Sequence, residues 1–168
     1  MKIDCLVVGE LEENCYILRK NNHVIIIDPG SDGKRIIQEV GDDVVDGILI
    51  THYHFDHIGA LTMLEEYYHV KANDRIKGFN YEIIDNPGHT LDSKSFYFPE
   101  INSIFDGDFI FEGGIGRCDL GGDWSLMKKS IKMFLKRFKD EKLYPGHGGI
   151  TTVDDERRLL EYYLNVSE

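Results

Sequence analysis

The stretch Thr51-His52-Tyr53-His54-Phe55-Asp56-His57 places three imidazoles and a carboxylate within six positions, directly after a short buried strand expected over Gly47 to Ile50. A satisfied structural histidine is an ordinary account of one such ring and a poor account of three. The strand must therefore open onto a site. If the chain leaves it in extended form, the period of two puts His52, His54 and Asp56 on one side. His57 then starts a helix beside them. Neutral imidazole and carboxylate are borderline to hard donors suited to zinc, iron or manganese. Four donors are available locally and need not share one ion: Asp56 and His57 are placed to serve a second metal beside one held by His52 and His54.

The rest of the composition narrows the setting. With 168 residues, 42% of them hydrophobic, the chain suits one domain with a real core, expected over residues 1–168. The opening Met1-Lys2-Ile3-Asp4 carries no apolar leader and no run is long enough to span a bilayer, so a cytoplasmic location is expected. Cys5, Cys15 and Cys118 form no Cys-x-x-Cys pair, which leaves any metal to His and Asp. A net charge of -11 argues against sequence-independent binding to nucleic acid or anionic membrane.

Along the chain, Ile3 to Val8, Cys15 to Leu18 and Val24 to Ile27 read as an antiparallel meander ended by Asp28-Pro29-Gly30. Lys34 to Val40 and Ile58 to Tyr68 read as helices. Tyr81 to Ile84, Ser95 to Phe98 and Ser103 to Phe105 read as strands. Ser125 to Phe138 is a periodic basic helix capped by Ser125, with Met127, Ile131, Phe134, Leu135 and Phe138 as its core stripe. A last helix follows Thr152, with Asp154, Asp155 and Glu156 in its first turn. Three further donors sit in turns rich in Pro or Gly: His89 in Asn86-Pro87-Gly88-His89-Thr90, Asp108 in Phe105-Asp106-Gly107-Asp108, and His147 in Tyr144-Pro145-Gly146-His147-Gly148. His23 and His69, the latter read as entering a strand, are expected to be structural. This order of elements implies an α/β sandwich of layers.

Asn14-Cys15-Tyr16, Ile27-Asp28-Pro29-Gly30, Thr51-His52-x-His54-x-Asp56-His57, Pro87-Gly88-His89-Thr90, Gly107-Asp108, Gly116-Arg117-Cys118-Asp119-Leu120 and Pro145-Gly146-His147-Gly148, with Thr151-Thr152 and Glu156 behind, form an ordered series. The chain thereby resembles the metallo-β-lactamase superfamily, in its short glyoxalase II-like (hydroxyacylglutathione hydrolase-like) branch. The resemblance implies a four-layer αββα sandwich and two divalent metal ions, zinc first and iron or manganese as alternatives. Carried over residue by residue, His52, His54 and His89 would hold one metal and Asp56, His57 and His147 the other, bridged by Asp108. Asp28 would brace the site from behind, and its residue type is equally compatible with a turn former after the strand. A bridging aspartate sets this branch apart from true β-lactamases, and His54 sets it apart from flavodiiron proteins.

The implied chemistry is hydrolysis of a small-molecule thioester by a metal-bridging hydroxide, with Asp56 as the catalytic residue that both ligates and orients the water. Arg117 would bind the anionic end of the substrate, or alternatively pair with Asp119 to hold its loop. The pattern departs from the family in three places. Only 31 residues separate His57 from His89, the chain ends about where the catalytic domain ends, and Leu159-Leu160 stands where the family often shows Asn-Pro. Glutathione specificity is therefore not carried over, and no motif encodes the acyl group or the oligomeric state. The competing readings are a mononuclear iron persulfide dioxygenase, an inactive metal-binding module and a nuclease.

Overall fold

β-Branched and aromatic runs separated by turns that need left-handed backbone build the first sheet. A computed structural model describes residues 1–166. They fall into two compact units, one over residues 1–79 and one from residue 80 onward. In the first unit β1 (Lys2–Val8), β2 (Glu13–Lys20) and β3 (His23–Ile27) form the expected antiparallel meander. The β2–β3 hairpin closes on Asn21 and Asn22, both at positive φ (51° and 62°). That is the signature of a turn whose twist matches its strands, and asparagine tolerates the conformation.

β4 (Val44–Leu49) then lies parallel to β3, with Ile27 opposite Leu49. Parallel neighbours need a crossover, supplied by α1 (Gly33–Val40). Val24 through Ile27 are all buried, so β3 reads as a continuous apolar run covered on both faces. Val24, Ile26, Ile17 and Ile48 pack with Ile36 and Val40 of α1 and with Leu64. Arg19 ties the sheet to the loop after α1: its guanidinium donates to Asp4, to Asp43 and to the Val40 carbonyl.

The expected helix over Ile58 to Tyr68 is two helices, α2 (Phe55–Ile58) and α3 (Leu61–Tyr68). The break has a physical cause. Ala60 N–H donates to the Pro29 carbonyl at 2.9 Å, and a methyl group on Gly59 would collide with the Gly30 carbonyl, so the loop after β3 intrudes where a continuous helix would run. His69 does not enter a strand. It ends α3 in left-handed conformation (φ 55°), its N–H bonded to the Glu65 carbonyl.

The second unit carries the sheet β11–β10–β7–β6–β5, with β5 (Glu82–Asp85), β6 (Lys94–Phe98), β7 (Ser103–Gly107), β10 (Lys142–Pro145) and β11 (Thr151–Thr152). β8 (Ile110–Phe111) and β9 (Gly114–Ile115) form a small hairpin. Neither these two short strands nor β10 and β11 carry enough residues to show a period in the sequence. α4 (Trp124–Arg137) and α5 (Val153–Asn165) complete the unit. α4 is capped by Asp123, whose carboxylate accepts from Leu126 N–H at 2.7 Å, and not by Ser125. Asp123 alone has the extended backbone a cap requires, because Ser125 already lies inside the helix. Thr152 caps α5, as the sequence suggests.

Met127, Ile131, Phe134 and Phe138 are buried against Ile104, Phe109 and Leu143, with Leu135 partly buried beside them. An aromatic series of Tyr81, Phe98, Phe105 and Tyr144 crosses the same sheet, ring to ring at 4.9 to 5.5 Å. Among the described residues no helix is long and apolar enough to cross a membrane. Ile131→Ala is expected to cost about 2–5 kcal/mol through lost burial and the cavity left behind. Met133→Ala, at a position 71% exposed, should stay within about 0.5 kcal/mol. Urea denaturation followed by circular dichroism measures both.

Candidate metal centre

Strand direction decides where the donors gather. β3 and β4 run parallel, so their carboxyl ends emerge side by side, and Asp28 N–H donates to the Leu49 carbonyl at 3.0 Å. Asp28 follows β3, and Thr51-His52 follows β4. Asp28 sits at positive φ (49°), one of the few side chains that accept this conformation at small cost.

Its buried carboxylate organises the loop. Oδ1 accepts from Thr51 N–H at 2.7 Å. Oδ2 accepts from the Thr51 hydroxyl at 2.5 Å and from His57 Nδ1–H at 2.9 Å. Because the Thr51 hydroxyl spends its proton on Asp28, its oxygen is left to accept from His52 Nδ1–H, 3.1 Å away. One carboxylate thus sets the tautomer of two imidazoles, and both present an Nε2 lone pair. Asp28, His52 and His57 offer donor atoms within 4.8 Å of one another. Asp28 nevertheless acts as the orienting group, since its oxygens already accept three hydrogen bonds.

The remaining donors of this unit stand close by. The His52 ring lies 4.8 Å from that of His54 and 4.1 Å from that of His57, centroid to centroid. Asp56 Oδ2 is 3.7 Å from His57 Nε2. Extended backbone does not reach Asp56 as the period of two requires. Asp56 lies in the first turn of α2, where negative charge suits the helix N-terminus. A methyl group on Gly30 would collide with the Asp56 carbonyl oxygen, so the loop behind packs directly on this turn. Glu13 is also buried here, with Oε1 3.8 Å from His57 Nδ1. Sequence reasoning assigned no role to Thr51 or to Glu13. The hydroxyl next to His52 was the available signal for the first, and burial is invisible in sequence for the second.

The second unit repeats the device. β5 and β6 are antiparallel, β6 and β7 are antiparallel, and β7 and β10 are parallel, so β5, β7 and β10 share one direction. Their carboxyl ends lie along one edge, where His89, Asp108 and His147 leave the sheet. Gly146 N–H donates to the Gly107 carbonyl at 2.8 Å and draws the His147 turn to Asp108. Asp108 Oδ2 stands 3.4 Å from His89 Nε2 and 3.6 Å from His147 Nε2. His89 Nδ1–H donates to the Arg117 carbonyl at 2.6 Å, which again leaves Nε2 as the donor atom. A side chain on Gly116 would collide with the Asp108 carbonyl, so only glycine lets this loop close over His89. The His89 turn is fastened on its other side by Ser130, whose hydroxyl donates to the Pro87 carbonyl at 2.7 Å.

The Arg117 side chain pairs with Asp119 through two hydrogen bonds of 2.6 Å, both groups being well exposed. This pairing holds the Asp119 carboxyl down at about 2. Burial pushes the neighbouring Asp106 carboxyl well above the usual range, and the charge of Asp108 adds to it. His23 bonds Asp46 at 2.9 Å on the surface, as a structural histidine should.

These donors suit a divalent metal: His52, His57 and His89 have their Nδ1–H groups engaged, and a carboxylate stands near the Nε2 atoms of His57 and of His89. Burial pushes the Cys15 thiol well above its usual value, which keeps it protonated and out of the donor set.

Comparison with known proteins agrees. The metallo-beta-lactamase superfamily profile matches residues 8–72. Hydroxyacylglutathione hydrolase GloC of Haemophilus influenzae is 30% identical, over 94% of this chain and 96% of its own length. The crystal structure of the BLEG-1 B3 metallo-beta-lactamase is similar with a TM-score of 0.89 at 25% identity, covering 98% of this chain and all (100%) of that one. TTHA1623 in a di-iron-bound form gives a TM-score of 0.82 at 27% identity, covering 92% and 97%.

Asp28→Asn replaces an acceptor of three bonds with an amide that cannot hold both imidazoles in the same tautomer. It is expected to weaken metal binding by about 10–100-fold, read by competition with a chromophoric chelator.

Proposed function

The chain belongs to the metallo-β-lactamase superfamily, in its glyoxalase II-like branch, and from that membership we propose that residues 1–168 act as one binuclear thioester hydrolase. It is a metal-dependent hydrolase, and the α/β metallo-β-lactamase fold accommodates it over nearly its full length. In the proposed centre His52, His54 and His89 would hold one ion, Asp56, His57 and His147 would hold a second, and Asp108 would serve both. The observation that carries this reading is one carboxylate oxygen, Asp108 Oδ2, facing two imidazole Nε2 atoms at 3.4 and 3.6 Å. A single carboxylate oxygen beside two imidazole nitrogens suits a group that two cations would share.

A pair of divalent cations, zinc in the first instance, supplies an acidified water and polarises a carbonyl when bound. The chain's own groups then do the positioning. Asp56, held in the first turn of α2, accepts a hydrogen bond from the attacking water and keeps its lone pair aimed at the acyl carbon. His52, His57 and His89 keep their Nδ1–H groups on Thr51, Asp28 and the Arg117 carbonyl, which leaves their Nε2 lone pairs for the metals they would hold. A thiolate leaves without a strong general acid, and none stands among these residues. Arg117 is assigned the anionic end of the thiol carrier, at the cost of releasing Asp119. Cys5, Cys15 and Cys118 form no disulfide with one another, which suits a cytoplasmic setting.

The test is to quantify zinc, iron and manganese in the purified protein and to assay a thioester panel beside a persulfide. Two ions per chain and thioester turnover are expected. Asp56→Asn should lower kcat about 10²–10⁴-fold. One iron per chain, with oxygen consumed on the persulfide, would replace the hydrolase with an oxygenase.

A further inference from the structure

The three acids in the first turn of α5 do different work. Asp154 is exposed, and Asp155 completes the cap: its carboxylate accepts from the Thr152 hydroxyl at 2.7 Å and its N–H donates back to that oxygen at 3.1 Å. Glu156 turns inward and is 6% exposed. Its Oε1 accepts from the Thr151 hydroxyl at 2.6 Å and its Oε2 from Gly113 N–H at 3.0 Å. The cap is closed without it, so capping does not account for a carboxylate buried at this position. Its two partners belong to different loops. Thr151 ends the loop that carries His147, and Gly113, at positive φ (77°), is the tip of the β8–β9 hairpin.

That hairpin touches the loop it is tied to. Phe111 of β8 meets the His147 ring edge-on, centroids 6.2 Å apart at 72°. A methyl group on Gly149 would stand 2.5 Å from a Glu112 carboxylate oxygen, so the hairpin turn packs directly on the residues after His147. His147 needs such support, because Gly146, Gly148 and Gly149 surround it with the residue type that loses most backbone freedom on being ordered. The near end of its loop is fixed by Gly146 N–H on the Gly107 carbonyl. We infer that Glu156 fixes the other end: it is a positioning residue that clamps the His147 loop to the hairpin and so holds the imidazole beside Asp108. Asp108 itself stands two residues before β8, which makes the hairpin the frame on which both donors are set. The consequence for metal binding rests on the proposed centre, whereas the placement of the ring does not.

The experiment follows the full chain with and without zinc. NMR of the zinc-free protein reads the His147 ring signals, assigned by their loss in His147→Gln, and competition with a chromophoric chelator reads zinc affinity. Glu156→Ala is expected to move the His147 signals toward those of an unstructured histidine and to weaken one of two bound zinc ions about tenfold or more. Glu156→Gln keeps an oxygen for Gly113 N–H and offers an N–H to the Thr151 oxygen, so both readouts should return close to wild type. Thr151→Val removes one of the two ties while keeping the side-chain shape. It should shift both readouts in the same direction by less, and it carries the test if Glu156→Ala does not fold. Glu161→Ala, on the exposed face of the same helix, should change neither. Wild-type ring signals and zinc affinity in Glu156→Ala, or in Thr151→Val where the former does not fold, overturn the clamp. Zinc that leaves the wild-type His147 signals unmoved overturns the ligand set of the proposed centre, and the zinc-free ring signals of the variants then decide the clamp by themselves.

Discussion

The buried carboxylate of Asp28 is the group on which the first half of the site depends. An ionised carboxylate out of water is tolerated only when its oxygens are satisfied, and here they accept from the Thr51 amide, the Thr51 hydroxyl and His57. Hydrogen bonds to a charged acceptor are worth about 1.5–3 kcal/mol each, enough to hold the turn after β4 and the first residues of α2 in a single arrangement. The same bonds decide which nitrogen of each ring bears a proton. Rigidity and ligand chemistry thus come from one interaction, and Asp28 needs no contact with a metal to govern binding.

Both units solve the delivery problem in the same way. Each sheet is mostly antiparallel but contains one parallel pair, β3 with β4 and β7 with β10. A parallel pair costs a long crossover, yet it sends two loops off the same edge of a sheet, where their side chains can meet. The antiparallel partners supply stability, and the parallel pair supplies the site. Glycine then lets the loops touch: Gly30 on the Asp56 turn and Gly116 on the strand end that carries Asp108.

Arg117 shows how main chain and side chain can serve different ends. Its carbonyl fixes the His89 ring, while its guanidinium is exposed and paired with Asp119. An exposed pair of this kind contributes little to stability. Its release for an anionic substrate therefore costs little, which is compatible with a binding role, while the carbonyl's work on His89 continues whichever partner the side chain holds.

The metal chemistry was legible in the primary sequence because donor identity is a property of residue type: His52, His54, Asp56 and His57 are concentrated in one stretch, and His89, Asp108 and His147 each stand in a turn. The meander, the α4 stripe and the capping of α5 by Thr152 were legible because period and cap chemistry are local. Tertiary structure alone decided the break between α2 and α3, since it arises from the Pro29 carbonyl and the Gly30 backbone, some thirty residues earlier in the chain. It also decided that Asp123, whose backbone is extended, caps α4. The protonated nitrogen of His52, His57 and His89 was a tertiary outcome too, because each tautomer is set by an acceptor whose position depends on strand pairing or loop closure. Residue order determines which groups exist and what they can bind. Packing determines which atom of each group faces its neighbours, because hydrogen bonds from outside the motif choose it.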